Sequence, residues 1–267
     1  MKLMKLSKPL GLPVPELRGS LKGIGYPAFG EIKFDGEFTH IIFKDDKIVT
    51  CNKYNKIRSQ FPALNQIKNV LRLGGVKSAI MLAELYYGEG KRNALYDLNS
   101  NKESDDLNLY VFDILEHDGQ DLTQSELIDR KELLGNILPD LEPTEVVCDE
   151  AEANKFFKAV VDGNYEGVVI KPLNSRLNAG PMNWVKLKMK DQNDYPVTFI
   201  DQTKERIEVT VFSMHTSKGP ITKPVGIKAP TRYKRHITLG DLVTIEHQGM
   251  LESGSLRHPV LIPKKGW

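Results

Sequence analysis

Two hydrophobic periods alternate along the chain. Apolar and polar residues alternate with period two over Ala28 to Lys33, Thr39 to Phe43 and Lys47 to Cys51. Such alternation predicts strands with one buried face. Asp35-Gly36 and Asp45-Asp46 lie between these runs and carry turn chemistry, so an antiparallel meander is expected here. Phe61 to Leu73 changes period, with apolar residues at 61, 64, 67, 70, 71 and 73 and Pro62 in the first turn, which predicts a helix. Ser78 to Tyr87 and Leu107 to Leu115 are strand candidates, and the polar stretch 88–106 between them reads as a loop or a helix. Thr123 to Leu138 predicts a helix capped by Thr123 or Ser125 and stopped by Pro139. Val146-Val147 is a short strand, Glu150 to Val161 a helix closed by Gly163, and Gly167 to Lys171 and Asn183 to Lys188 two further strands.

After Lys190 the texture changes. Val197–Ile200, Ile207–Phe212, Val225–Ile227 and Leu242–Glu246 are short β-like runs separated by Gly and Pro, with no helical period. That pattern predicts a small all-β barrel or sandwich. The expected fold class is therefore α+β. A mostly antiparallel-sheet domain over 1–190 precedes a small β domain over 191–267, with the boundary at Met189–Asp194. Residues 1–28, rich in Pro and Gly, read as an extended arm over the domain surface.

Composition changes this picture little. Hydrophobic residues are 40% and charged residues 27% of the 267, an ordinary globular balance. No apolar run approaches the roughly 18 residues of a membrane span, and the basic start Met1 to Leu6 lacks the apolar core of a signal peptide. Cys51 and Cys148 are too few for a disulfide framework or a zinc site. A reducing, cytoplasmic setting and a monomer are expected, with no membrane partner. The net charge of +2 is unevenly spread: residues 191–267 carry 11 Lys and Arg against 8 Asp and Glu. The run Lys228 to His236 is densely basic and suits a polyphosphate partner.

Five polar elements punctuate the strands of the first domain. They are Glu31-x-Lys33-x-Asp35-Gly36, Ala83-Glu84-Leu85, Tyr110-Val111-Phe112-Asp113, Glu166-Gly167-Val168-Val169-Ile170-Lys171, and Trp184-Val185-Lys186-Leu187-Lys188. Asp118-Gly119-Gln120-Asp121-Leu122 and Arg130-Lys131-Glu132-Leu133-Leu134 fall between them, and Gly254-Ser255-Leu256-Arg257-His258-Pro259-Val260 lies near the end. In order and spacing the set resembles motifs I, III, IIIa, IV, V and the start of VI of the covalent nucleotidyltransferases. This family comprises the ATP-dependent DNA ligases, including bacterial end-joining ligase domains, and the mRNA-capping enzymes.

The resemblance implies an antiparallel-sheet nucleotidyltransferase (ATP-grasp-like) domain followed by an OB-fold. It implies an ATP-dependent DNA ligase that seals 3′-OH/5′-phosphate nicks through a lysyl-AMP, in repair or end joining. ATP is consumed to AMP and pyrophosphate, with Mg²⁺ or Mn²⁺. Lys33 matches the adenylylated lysine, Glu31 the contact to the adenine amino group, and Asp35 a residue positioning Lys33 or the nick end. Glu84 matches the motif III carboxylate near the ribose and, with Glu166, a metal ligand. Phe112, or Tyr110, stacks on adenine. Lys186 and Lys188 hold the α-phosphate, Lys171 is expected on phosphate, and Arg257 with Lys264 and Lys265 on pyrophosphate. A lysine is protonated at neutral pH. Burial and the positive field of Lys186, Lys188 and a metal are expected to lower the Lys33 pKa and free its lone pair.

The match breaks at recognised places. Phe38 stands where motif I of DNA ligases ends in arginine, and Cys51-Asn52-Lys53-Tyr54-Asn55-Lys56 lacks the arginine expected about 20 residues past the lysine. Those arginines contact the nick in the family, so Lys53, Lys56 or Arg58 is expected to substitute. Arg232, Lys234 and Arg235 are the further DNA-backbone candidates. The Arg-x-Asp-Lys ending of motif VI is missing, and no DNA-binding domain is read ahead of the core. The expected partners are nicked duplex DNA, with or without RNA on the 3′ side, and a repair protein. An RNA ligase is the alternative, and a capping-type guanylyltransferase or a non-catalytic nucleic-acid-binding relative stands further off.

Overall fold

The computed structural model describes residues 19–100, 105–139, 144–177, 183–213, 219–251 and 253–264. Most of the expected N-terminal arm, residues 1–18, lies outside them, as does Lys265. The chain divides into two compact units between Leu187 and Lys188.

The first unit contains β1 (Ala28–Lys33), β2 (Glu37–Lys44), β3 (Lys47–Asn52), β4 (Ile57–Arg58), α1 (Pro62–Leu73), β5 (Ser78–Tyr87), α2 (Ala94–Ser100), β6 (Leu107–His117), β7 (Gln120–Asp121), α3 (Leu127–Ile137), β8 (Glu145–Val147), α4 (Glu150–Asp162) and β9 (Gly167–Pro172). The strand β10 (Val185–Lys188) ends where the second unit begins. One sheet has six strands in the order β4-β3-β2-β5-β6-β7, and another four in the order β10-β9-β1-β8.

This topology corrects the expected meander. β2 and β3 do form a hairpin across Asp45 and Asp46, both at positive φ, as a two-residue primed turn requires. β1, however, pairs with β8 and β9, not with β2. Asp35-Gly36 is therefore no hairpin turn but the crossing from one sheet to the other. Asp35 N donates to Gly90 O, which takes the chain away from its own strand. Gly36 then passes so close to β5 that a Cβ there would stand 2.3 Å from Leu85 O. Only glycine permits that approach.

Both faces of the six-stranded sheet are used. Ile41, Phe43, Met81, Ala83, Leu85 and Val111 pack with Leu64 and Leu71 of α1. The opposite face carries Leu82, Tyr110 and Phe112, with Phe38 packed beside them. On the four-stranded sheet, Ala28, Val168, Ile170 and Val185 pack against Ala153 and Val160 of α4. Gly30 lies under the Phe156 ring, where a Cβ would come within 2.8 Å of it. The helix α4 is capped by Asp149, whose Oδ1 accepts from Glu152 N.

Two helical expectations change. The helix α3 begins at Leu127 after Glu126, not at Thr123 or Ser125. The preceding residues are spent on turns, since Thr123 N donates to Asp121 Oδ1 and Ser125 N to Leu122 O. Within 88–106 the seven-residue α2 forms, its buried Ala94 and Leu98 set four apart.

The second unit holds β11 (Asp191–Ile200), β12 (Arg206–Ser213), β13 (Ile221–Lys228), α5 (Thr231–Lys234), β14 (Leu242–His247) and β15 (Val260–Leu261). Its antiparallel sheet has the order β13-β12-β11-β14-β15. Alternate residues Val197, Ile207, Val209, Ile227, Val243 and Ile245 form its core. The single-turn α5 was not expected. It follows Pro230, and Glu205 Oε1 accepts from both Thr231 N and Thr231 Oγ1. Among the described residues no helix is long and apolar enough to cross a membrane.

Candidate active site

Strand register builds the centre of the site. In the β1–β9 pair Lys33 faces Gly167, so Glu166, one residue earlier, arrives at the lysine. Lys33 Nζ donates to Glu166 Oε2 at 2.6 Å, and the Glu166 side chain is 5% exposed. The β2–β5 and β5–β6 pairs set Phe38, Glu84 and Tyr110 in one row. The Glu84 side chain lies beside Gly36, where a Cβ would stand 2.9 Å from its Cγ. Asp35 is buried, and its Oδ2 accepts from Asn93 N at 2.7 Å. The structure thus gathers Lys33, Asp35, Glu84 and Glu166 where the two sheets meet.

Burial depresses the Lys33 ammonium's pKa, but the carboxylates of Glu166, Glu84 and Asp35 outweigh it, so the net shift is upward. The expected depression by neighbouring lysines is corrected on this point, because the nearest charges are carboxylates. Glu84 is pushed up to about 7, mainly by burial and further by Glu166 and Asp35, with Lys33 opposing. Among the described residues, no three His, Cys, Asp or Glu side chains form a metal cage. Two carboxylates, Glu84 and Glu166, beside Lys33 nonetheless fit Mg²⁺, which takes one or two protein carboxylates and completes its shell with phosphate and water.

A second cluster lies along the same face of β1. Glu31 faces Val169 and Phe29 faces Lys171, so the Lys171 side chain reaches Glu31 diagonally. Lys171, expected on phosphate, is instead buried: its ammonium donates to Glu31 Oε2 and sits 4.3 Å from the Phe112 ring centroid and 4.2 Å from that of Trp184. A carboxylate and two π faces replace its hydration. Burial still pushes its pKa down to about 8, against the attraction of Glu31. Lys131 Nζ, from α3, stands 2.5 Å from Glu31 Oε1, so a second cation faces the same carboxylate. Burial opposes ionisation of Glu31, but Lys131 and Lys171 carry its pKa below the ordinary value. Next to Phe112, Asp113 receives both Arg130 Nε and Nη2 at 2.7 and 2.8 Å, with both side chains fully buried.

The remaining expected residues fall in several places. Val185 and Leu187 pack into the α4 core, so alternation turns Lys186 to the face that carries Glu31, Lys33 and Lys171. Lys188 is the last residue of β10 and opens the second unit. Arg58 is not beside Phe38. It faces Thr50, which faces Ile41 on the α1 side of the sheet, and it pairs with Glu37 at 2.7 Å. Lys53 is exposed, with its ammonium 4.9 Å from the Tyr54 ring centroid. In the second unit Arg257 is buried and its backbone bonds to Gln248 and Gly249. Arg232 packs on Tyr233 and Arg235 bonds His236. Lys234 caps the carbonyls of Asp201 and Lys204 at 2.7 and 2.8 Å. Sequence reasoning gave no role to Lys131 or Trp184. Their residue types stood inside quoted stretches, but their partners lie far away along the chain.

Sheets that meet at a half-buried lysine ringed by carboxylates, with an aromatic shelf alongside, define a mixed α and β fold with antiparallel sheets. Residues 13–188 match the ATP dependent DNA ligase domain. The chain belongs to that family. A DNA ligase of Staphylothermus marinus is 28% identical over 202 residues, covering 68% of this chain and 33% of its own. This chain spans about a third of the length of the curated relatives it matches. Among solved structures, Pmar-Lig_PreS3 superposes with a TM-score of 0.72 at 20% identity, over 96% of this chain and 68% of that one. A structure from work on the minimal scaffold of Lig E DNA ligases superposes with a TM-score of 0.67 at 13% identity, over 94% and 98%. At such identities the likeness is one of fold.

Proposed function

We propose that this chain carries out ATP-dependent ligation of 3′-OH/5′-phosphate nicks in DNA, in repair or end joining, with Lys33 as the adenylylated nucleophile. The Lys33–Glu166 contact at 2.6 Å carries the reading, because it joins a nucleophile to a group able to take its proton. Membership of the ligase family supplies the substrate class.

Lys33 is held as an ammonium and must lose a proton before it attacks. Glu166 Oε2, already its hydrogen-bond acceptor, would take that proton. The Nζ lone pair then forms a bond to the α-phosphorus of ATP while the bond to the pyrophosphate oxygen breaks. Glu84 and Glu166 would hold Mg²⁺ or Mn²⁺, whose chemistry is to neutralise phosphate charge. Lys186 faces the same side and Lys188 ends the strand, as suits residues that balance charge on the α-phosphate. Phe112 and Tyr110 offer π faces to the base. Asp35, whose Oδ2 accepts from Asn93 N, fixes the crossing that follows Lys33. AMP then passes to the 5′-phosphate of the nick, and attack by the 3′-hydroxyl releases it.

The second unit reads as the OB-fold of this system, and Arg257 as a residue for pyrophosphate. Five antiparallel strands around one core support that reading, as does the approach of β15 to β13 at the two ends of the sheet order. The test is incubation with α-labelled ATP and Mg²⁺, denaturing electrophoresis, and transfer to nicked DNA. Label on the wild type, its loss in Lys33→Ala, and sealing of a DNA nick are expected. No label on the wild type overturns the reading.

A further inference from the structure

Glu31 is a fully buried carboxylate flanked by two cations that come from separate elements. Lys171 belongs to the neighbouring strand β9, but Lys131 comes from α3. The residue before it, Arg130, holds Asp113 on β6 through two hydrogen bonds. One turn of α3 therefore grips both sheets, β6 of the six-stranded sheet by Arg130 and β1 of the four-stranded sheet by Lys131. Phe112 adjoins Asp113, and Lys33 lies two residues beyond Glu31. The helix thereby fixes the aromatic shelf relative to the lysine strand.

The chemistry at this corner is directional. A carboxylate oxygen only accepts, and an ammonium only donates. An accepting oxygen beside a donating nitrogen complements an exocyclic amine next to an unprotonated ring nitrogen, the pattern adenine presents. Hypoxanthine and guanine present a carbonyl and a ring N–H there, the reverse order. Glu31 supplies the acceptor. Lys131 keeps Glu31 ionised, and without it the carboxylate would have only Lys171 to offset its burial.

We propose that Lys131 is a positioning residue that sets base selectivity at the nucleotide site by fixing the charge and orientation of Glu31. The proposal rests on the ligase reading above.

The test uses the full chain as wild type, Lys131→Met, Lys131→Arg and Glu31→Gln, with α-labelled ATP or ITP and Mg²⁺, scoring label on Lys33. Lys131→Met is expected to raise KM for ATP roughly tenfold, as loss of a charged partner does, with maximal labelling little changed. The preference for ATP over ITP should fall toward parity in Lys131→Met and Glu31→Gln, and Lys131→Arg should restore it. The two nucleotides are compared on one preparation, so a loss of folded protein cancels in the ratio. An unchanged ratio in Lys131→Met and Glu31→Gln, beside a labelled wild type, overturns the proposal and leaves the ligase reading standing. An unlabelled wild type overturns that reading instead.

Discussion

Lys33 meets Glu166 because Gly167 is the residue paired with Lys33 on the adjacent antiparallel strand. The contact joins residues 133 positions apart. It is fixed by register, and a one-residue slip would turn Glu31 and Lys33 toward α4. Glu166→Ala should therefore remove the proton acceptor and one proposed metal ligand together. Lysyl-AMP formation is expected to fall by about 10²-fold or more, read as label retained on a denaturing gel. Labelling near the wild-type rate would exclude Glu166 from the chemistry.

Gly36→Ala should disable the site without replacing a charged group. Its new Cβ would stand 2.3 Å from a backbone oxygen, Leu85 O, which no rotamer change relieves. The crossing between the sheets must shift, and Glu84 with it. A loss of labelling comparable to that of Glu84→Ala is expected, with the fold retained by circular dichroism. Full activity would show that β5 can give way.

The Arg130–Asp113 pair is fully buried, so removal of one partner strands a charge. Arg130→Met is expected to cost about 3–5 kcal/mol of unfolding free energy, measured in urea. Asp113→Leu combined with Arg130→Met should recover much of that loss, since two apolar groups leave no uncompensated charge. A double variant as unstable as the single one would contradict this account.

Arg58 lies on the α1 side of the sheet, away from Phe38. Arg58→Ala should leave lysyl-AMP formation within about twofold of wild type, because its partner is Glu37 and not a group of the site. Lys234→Ala should lower the stability of the second unit by about 1–2 kcal/mol, because two carbonyls lose a charged donor. A large drop in labelling for Arg58→Ala would show that the six-stranded sheet transmits its loss to the site.

Lys171 links the buried cluster to pH. Its pKa of about 8 lies below the ordinary 10.5, so between these values the unfolded chain binds more protons than the folded one. Stability should then rise with pH across that window. The Lys33 shift is upward from 10.5 and acts above the window, and the Glu31 shift lies far below it. Denaturation at pH 8 and pH 10.5 should show the rise in wild type and its absence in Lys171→Met. Comparing the two proteins cancels Tyr26, Tyr195 and Cys51, which titrate nearby in both.

Local chemistry was legible wherever a few adjacent residues decide the outcome. The period of Ser78 to Tyr87 and of Phe61 to Leu73, the Asp45-Asp46 hairpin and Gly163 at the end of α4 are of this kind. The order of the polar elements likewise marked Lys33, Glu84, Phe112 and Glu166, because residue type and spacing are properties of the chain itself. Pairing between strands is not. Asp35-Gly36 carries the local signature of a hairpin, yet the hydrogen bond to Gly90 and the close pass at Leu85 make it a crossing between sheets. Lys171 carries the type of a phosphate ligand, yet register buries it on Glu31 between two rings. Lys131 had no visible partner until α3 docked. The sequence by itself determined which groups were available, through period, turn chemistry and spacing. Only the tertiary structure decided which of them meet, because the free energy of burying a charge depends on partners brought in from distant strands and helices.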